Sequence, residues 1–357
     1  MKKYILFIAL IALTAFNLQA QRTTRVNAIR ANNFGVIYSL PKTTFEVTVL
    51  VKKNTYQRGE FFQYSQRFIG VDPITENRMV HTLEDILVVN KGVANAENSF
   101  MVEFRANTVM PFVHLREDGV IASINSEPVF DTTSTMNIPE GQTASANPRR
   151  FLTQETLMAG SIARQAELVA RQIFDLRRSR NDILTGESDA MPPDGNAYRV
   201  VMEQIDLQEK ALTELFAGSE QTEYFTQTFT VIPDERDINR MVIARLSERL
   251  GLVDADNLAG EPIYLSLRNR TPRVEMQLSE RDLRRLESKL SEGLVYNIPG
   301  KANLTIEFRN RTLKNTEVDV VQYGSQDVLT RRMFDNNRQP IRILFHPELG
   351  AIRQIIQ

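Results

Sequence analysis

Hydrophobic residues in this chain recur at two different periods, and the change of period divides it. Over residues 43–53 they alternate, with Phe45, Val47, Val49 and Val51 facing one way and Thr44, Glu46, Thr48 and Lys52 the other. Leu50 is the one exception. A period of two is that of a strand buried on one face. Phe100, Val102 and Phe104 repeat it, and residues 112–124 read as a hairpin turning at Glu117-Asp118-Gly119. Between these strands, residues 60–68 predict a short helix bearing Phe61, Phe62, Tyr64 and Phe68, an aromatic cluster of the kind that fills a core.

The period then lengthens. Ala159, Ile162, Ala166, Val169, Ile173 and Leu176 are spaced by three and four, and Tyr198, Val201, Ile205, Gln208, Leu212 and Leu215 repeat the spacing. Such seams belong to helices that pack side by side, and the Pro- and Gly-bearing join at 184–195 makes them an antiparallel hairpin. Gln208 is polar on an apolar seam, and a slight rotation that lets Leu207 fill its place is the expected remedy. Arg180, where the first seam continues, requires a carboxylate or carbonyl partner.

After the hairpin the period of two returns at Phe225, Phe229 and Val231, and again at Ala302, Leu304, Ile306 and Phe308. Val318 and Val320 follow a turn expected near Lys314-Asn315, and Ile341, Ile343 and Phe345 precede a last hairpin. One amphipathic helix interrupts this part, with Ser279 as N-cap and Leu283, Leu286 and Leu290 on one face. Glu117-x-Gly-x-Ile-x-x-Ile124 recurs as Glu348-x-Gly-x-Ile-x-x-Ile355, each after an apolar strand, which implies one turn chemistry used twice.

The fold class that follows is α+β: two β-sandwich-like modules with an inserted antiparallel helical hairpin. The division is residues 1–20 as a signal peptide, 21–33 as a polar linker, 34–126 as an N-terminal β-rich module and 127–150 as an exposed connection rich in Thr, Ser, Asn, Gly and Pro. The hairpin takes 151–218 and a C-terminal β-rich module 219–357.

The N-terminus adds an address. Lys2 and Lys3 precede an apolar run over residues 4–16, and Leu18-Gln19-Ala20 places a small residue before Gln21. This is the pattern of a cleavable secretory signal, and the run is shorter than the roughly 20 residues needed to span a bilayer. The expectation is an exported chain, periplasmic, envelope-associated or extracellular, with no transmembrane segment after cleavage. The whole sequence has 43 Lys and Arg against 44 Asp and Glu; without the two leader lysines the balance is about −3. That argues against nucleic acid as a partner. Cysteine is absent, so disulfides, thiolate zinc sites and cysteine nucleophiles are excluded.

Candidate chemistry is sparse. His81, His114 and His346 stand at no metal-ligand spacing, and no motif for a hydrolase or a phosphate loop occurs. Asp254-Ala-Asp256-Asn257-Leu-Ala-Gly260-Glu261 has the look of a calcium loop, but Leu258 stands where an oxygen ligand is required. No catalytic residue, cofactor or metal site is expected. Asp131-Thr132-Thr133 is similar to a short O-glycosylation signal, with Thr132 the acceptor.

Three segments together carry a family resemblance: residues 38–53 (YSLPKTTFEVTVLVKK), 177–195 (RRSRNDILTGESDAMPPDG) and 252–267 (LVDADNLAGEPIYLSL). They resemble domain-of-unknown-function family 4831, exported proteins of Bacteroidota. The resemblance implies the compartment and the architecture, and it brings no functional residues. The functional expectation is a non-enzymatic envelope protein acting through another envelope protein, with the hairpin tip as contact surface: Thr185, Gly186, Glu187, Met191, Pro192 and Pro193. The alternative is a secreted hydrolase using carboxylates on carbohydrate or peptide.

Overall fold

The structure is a computed structural model that describes residues 21–25, 35–104, 112–131, 134–142, 146–188, 195–271, 288, 293–330 and 341–356. It is mixed α+β: three antiparallel sheets and a pair of helices in contact.

The strands are β1 (Gln21–Arg25), β2 (Gly35–Gln57), β3 (Arg78–Phe104), β4 (Val113–Leu115), β5 (Ile121–Ile124), β6 (Ser219–Val231) and β7 (Ile238–Ser247). There follow β8 (Gly251–Val253), β9 (Glu261–Asn269), β10 (Gly293–Phe308), β11 (Arg311–Thr330), β12 (Arg342–His346) and β13 (Ala351–Ile356). The helices are α1 (Ser65–Ile69), α2 (Gln154–Met158), α3 (Ile162–Thr185) and α4 (Gly195–Ala217), with 3-10 turns at Phe62–Tyr64 and Pro148–Phe151.

The first sheet has the order β1-β3-β2-β6, the second β11-β10-β9-β7-β8, and the third, smaller one β13-β12-β5-β4. The first and third thus draw strands from both sides of the helical hairpin, while the second is built wholly from strands that follow it. The first and second sheets face each other over one core. Phe45, Val47, Val49 and Val51 of β2 meet Ile263, Leu265 and Leu267 of β9 and Ala302, Leu304 and Ile306 of β10. The period-two reading of β2 holds here, and Leu50 on the opposite face is buried too. Burying each such side chain favours the fold by about 1.5–3 kcal/mol before entropy is counted.

A second core sits under the third sheet. It joins Tyr38, Leu40, Phe100 and Val102 from the far end of the β2–β3 ribbon to Leu294, Val295, Val328 and Leu329 of β10–β11. Ile121, Ile124, Ile343 and Phe345 close it. The long strands therefore run through both cores. Where they pass from one to the next, both ribbons break register in the same way. In β2–β3 the pairing jumps from Ser39↔Ser99 to Pro41↔Ala94, and in β10–β11 from Ile298↔Ser325 to Gly300↔Val320. Both breaks lie at a Tyr-x-x-Pro segment, Tyr38 to Pro41 and Tyr296 to Pro299, a likeness that hydropathy patterns do not reveal.

The two Glu-x-Gly turns are the tips of β4–β5 and β12–β13, which lie side by side through β5 and β12. Gly119 and Gly350 take positive φ of 84° and 63°, as these turns require. The turn expected near Lys314-Asn315 is instead at Arg309-Asn310, with φ of 49° and 58°. Lys314 and Asn315 pair within the ribbon, opposite Ile306 and Thr305. A two-residue hairpin turn needs positive φ at both positions, which asparagine tolerates, and the pairing closes on it after a register shift between Ile306 and Glu307.

The hairpin forms as the spacing predicts, with Ser161 capping α3 through the Arg164 N–H at 3.3 Å and Gly186 ending it in the left-handed region. Ala166, Val169 and Ile173 pack on Leu212, Leu215 and Phe216, and Phe61 closes this third core. The predicted aromatic helix is a 3-10 turn followed by α1, and its Phe61 stacks obliquely on Phe216 at 5.4 Å. Three details differ from expectation. Ala159 caps α2 instead of opening the seam, Ile162 faces solvent, and Leu207 is exposed while Gln208 stays half-buried. Next to Gln208, Glu209 takes the interhelix position because two arginines of α3 demand a carboxylate there. Gln21–Arg25, the start of the expected linker, pair as β1 with Phe100–Phe104. The helix expected from Ser279 lies outside the described residues.

Candidate functional site

The tips of the two small hairpins meet the β2–β3 ribbon at Gly92. A β-carbon there would clash with the Glu348 backbone, so only glycine admits the turn. The Gly92 N–H donates to the Glu348 carboxylate at 2.5 Å and its carbonyl accepts from Arg116 Nη2 at 2.5 Å. Arg116 also holds Asp118 in a two-pronged contact, Nε to Oδ1 at 2.8 Å and Nη2 to Oδ2 at 2.5 Å, and reaches Glu348 Oε1 at 3.1 Å. A planar guanidinium suits such a junction because its donors are fixed in a fork. Its hydrogen bonds hold the Asp118 carboxyl below the ordinary carboxylate value, helped by the Val120 and Ala94 N–H groups. They also raise the guanidinium itself.

Beside this junction lie two connected hollows. One, of about 330 Å³, is bounded by Glu46, Val88, Val89, Asn90 and Lys91 on the ribbon and by Phe130, Asp131, Ser134, Pro347 and Glu348 across from it. The other, of about 580 Å³, lies between Lys91, Gly92 and Val93 and the segment Leu115 to Asp118, again with Phe130. The segment from Ser126 onward that carries Phe130 is anchored by Asp131, which accepts from Arg353 at 2.7 Å and lies 3.5 Å from His346 Nδ1. The Arg353 hydrogen bond lowers the Asp131 carboxyl. Lys91 pairs with Glu46 at 2.8 Å.

The cations Lys91 and Arg116 beside these hollows, and the Asp131 carboxylate, are matched within the chain. Carboxylate catalysis on glycosides needs one acid whose proton is held at neutral pH, hence a raised pKa. Asp118 and Asp131 are shifted the other way. What the hollows offer a ligand is exposed apolar surface at Val93, Leu115 and Phe130 and the backbone of β3.

The sites expected from sequence are placed as follows. Thr185, Gly186 and Glu187 are exposed at the end of α3, where Thr185 Oγ1 donates to the Asn181 carbonyl at 3.0 Å and Glu187 N–H to that of Asp182 at 2.8 Å. Met191, Pro192, Pro193 and the glycosylation candidate Thr132 lie outside the described residues. Arg180 does have its carboxylates, Asp206 at 3.1 Å and Glu209 at 3.0 Å, and Arg177 meets Glu209 at 2.6 Å.

The three histidines stand in separate settings. His81 is buried against Phe225, with Nδ1 3.1 Å from the Glu248 carbonyl. His114 meets the edge of Phe112, and His346 faces Asp131. In the Asp254–Gly260 loop, Arg245 bonds the Ala255 and Gly260 carbonyls at 2.8 and 3.1 Å, which sets a guanidinium against the loop's backbone. The loop joins strands, not helices.

Reading the sequence did not find the Arg116–Gly92–Glu348 junction. Its one visible sign was an isolated glycine in a strand pattern, a mark of close backbone approach.

Among the described residues no helix is long and apolar enough to cross a membrane. No curated protein and no solved structure matches the chain. A family model does match, over residues 34–353, from the start of β2 to within β13. The chain therefore belongs to the DUF4831 family, a domain of unknown function.

Proposed function

We propose that this is an exported, non-enzymatic envelope protein that acts through a protein partner, with the helical hairpin as its contact arm. The observation that carries the reading is the apolar surface that the hairpin leaves open. Ala166, Val169, Ile173, Leu212 and Phe216 pack its base, while Leu184, Val200, Val201 and Leu207 of the outer part are exposed, as are Ile162 and Phe174 of α3. Several exposed large aliphatic side chains on one element are the kind of surface that binds a partner. The Arg177, Arg180 and Glu209 pairs hold the helices in register between the two regions. Export rests on the lysine-led apolar start and the Ala20-Gln21 junction.

The test is site-specific photo-crosslinking in intact cells from Glu187 and Val200, with the same probe at Leu313 as control. Both hairpin positions should capture one and the same envelope protein, and deletion of residues 185–195 should abolish capture from Val200 while the chain still folds. A deletion that keeps the Val200 crosslink ends this reading. Mass measurement of the mature chain should place its first residue at Gln21; a retained leader ends the export part.

A further inference from the structure

β3 is an edge strand over most of its length. β1 covers only residues 100–104, and among the described residues no strand pairs with 78–99 on the side away from β2. In an antiparallel strand, successive residues direct their backbone groups to opposite sides. Gly92 sets the phase, because both its N–H and its carbonyl are bonded from outside the ribbon. Thr43, its partner on β2, sends its own groups the other way, to the Gln322 side-chain amide at 3.1 and 2.8 Å. Ile86, Val88, Asn90 and Ala94 share the phase of Gly92 and face outward.

Exposed edges are normally blunted, and most of this one is. The Ile86 N–H is taken by the Asp85 carboxylate at 2.7 Å. Gly92 is capped by Glu348 and Arg116. Between these caps, Val88 and Asn90 have no partner for their outward N–H and carbonyl among the described residues. The 330 Å³ hollow lies against that window. Beyond Lys91, the larger hollow presents Val93, Leu115 and Phe130.

We propose that the Val88 to Asn90 window is a docking site for an extended peptide segment of a partner protein. The segment adds to β3 as a further strand and sets an apolar side chain among Val93, Leu115 and Phe130. The ligand class follows from the chemistry left open. Donor and acceptor pairs repeating two residues apart, about 6.5–7 Å, are matched by another extended backbone. A small anion finds no unmatched cation here, since Lys91 is paired with Glu46 and Arg116 with Asp118 and Glu348. The caps at Ile86 and Gly92 limit the pairing to a short stretch, so apolar side-chain contact supplies the remaining selectivity. This site is apart from the hairpin and does not depend on it.

The experiment is selection of a linear heptapeptide phage library on the purified chain, followed by anisotropy titration of the enriched synthetic peptide. Backbone amide exchange is then measured with and without that peptide. Binding should protect the Val88 and Asn90 amides, weaken about tenfold in Val88→Pro and several-fold in Phe130→Ala, and persist when residues 185–195 are deleted. The Val88 N–H points away from β2, so proline there leaves the ribbon's own hydrogen bonds intact. Methylating alternate amides of the peptide tests the same pairing without altering the protein and should also abolish binding. Absence of any enriched peptide, protection elsewhere on the chain, or full tolerance of the methylated peptide overturns the proposal. Loss of binding on deletion of 185–195 would place the site on the hairpin instead.

Discussion

The hydroxyl of Tyr38 on β2 donates to the backbone carbonyl of Val295 on β10 at 3.1 Å and accepts the N–H of the same residue at 2.8 Å. One side chain thus satisfies both polar groups of a buried strand residue in the second core, tying the two long ribbons together. Burial raises the Tyr38 pKa above its ordinary value of 10.0.

Tyr38→Phe leaves the Val295 N–H and carbonyl without partners and should cost roughly 2–4 kcal/mol, read from urea unfolding at pH 7. Because the folded pKa is raised, the contribution of Tyr38 is complete below about pH 10 and falls as pH rises above it. The alkaline decline in stability should therefore be shallower in Tyr38→Phe than in the parent. Equal slopes would mean that the hydroxyl is not held neutral by folding.

Asp118 behaves in the opposite sense. Its carboxyl is lowered by Arg116, so its contribution is present above the ordinary value of 3.8 and is lost as pH falls through the lower folded value. The side chain is partly exposed, and solvent screening keeps the effect below about 1 kcal/mol. Asp118→Asn should destabilise slightly at pH 7 and flatten the acid limb of stability below about pH 4, measured as thermal unfolding from pH 2 to 7.

Glu209 is mostly buried between Arg177 and Arg180. Glu209→Ala leaves two cations facing each other and should cost about 1–3 kcal/mol. Arg180→Ala should cost less, because Arg177 still engages Glu209. A double-mutant cycle with Arg177 by urea denaturation should return a coupling of about 1 kcal/mol, and zero coupling would contradict the geometry.

Gly92→Ala places a methyl group against the Glu348 backbone. The β12–β13 turn has to retreat, which should cost about 1–3 kcal/mol and break the Arg116 to Glu348 contact. Gly160→Ala meets no neighbouring atom and, like Gly92, lies outside the left-handed region, so it serves as the control for adding a methyl group without a clash. Similar losses in both would show that packing at Gly92 is unimportant.

How much of this was legible beforehand depends on the range of the interaction. The alternation of Phe45, Val47, Val49 and Val51 and the seam through Ala166, Val169 and Ile173 express local geometry, a period of two or of three to four, and each reads directly from neighbouring residues. The Arg309-Asn310 turn was missed because its signal is backbone conformation, and hydropathy does not report it. Leu207 was misplaced because the rotation of α4 answers to Arg177 and Arg180, some thirty residues away. The hairpin-tip segment was visible as composition, and the described part of it does local work in capping α3.

By itself the sequence determined which segments extend and which coil, the α+β class, and the two Glu-x-Gly turns, all of them consequences of side-chain period and backbone preference. Only the tertiary structure decided that β2 and β10 pass through two cores, that the two turns converge on Gly92, and that a stretch of the β3 edge at Val88 and Asn90 stays open. Those facts depend on strand order and register between residues as much as 279 positions apart. Such pairings come from backbone hydrogen bonds, which every residue but proline can make, so the identity of the side chains does not announce them.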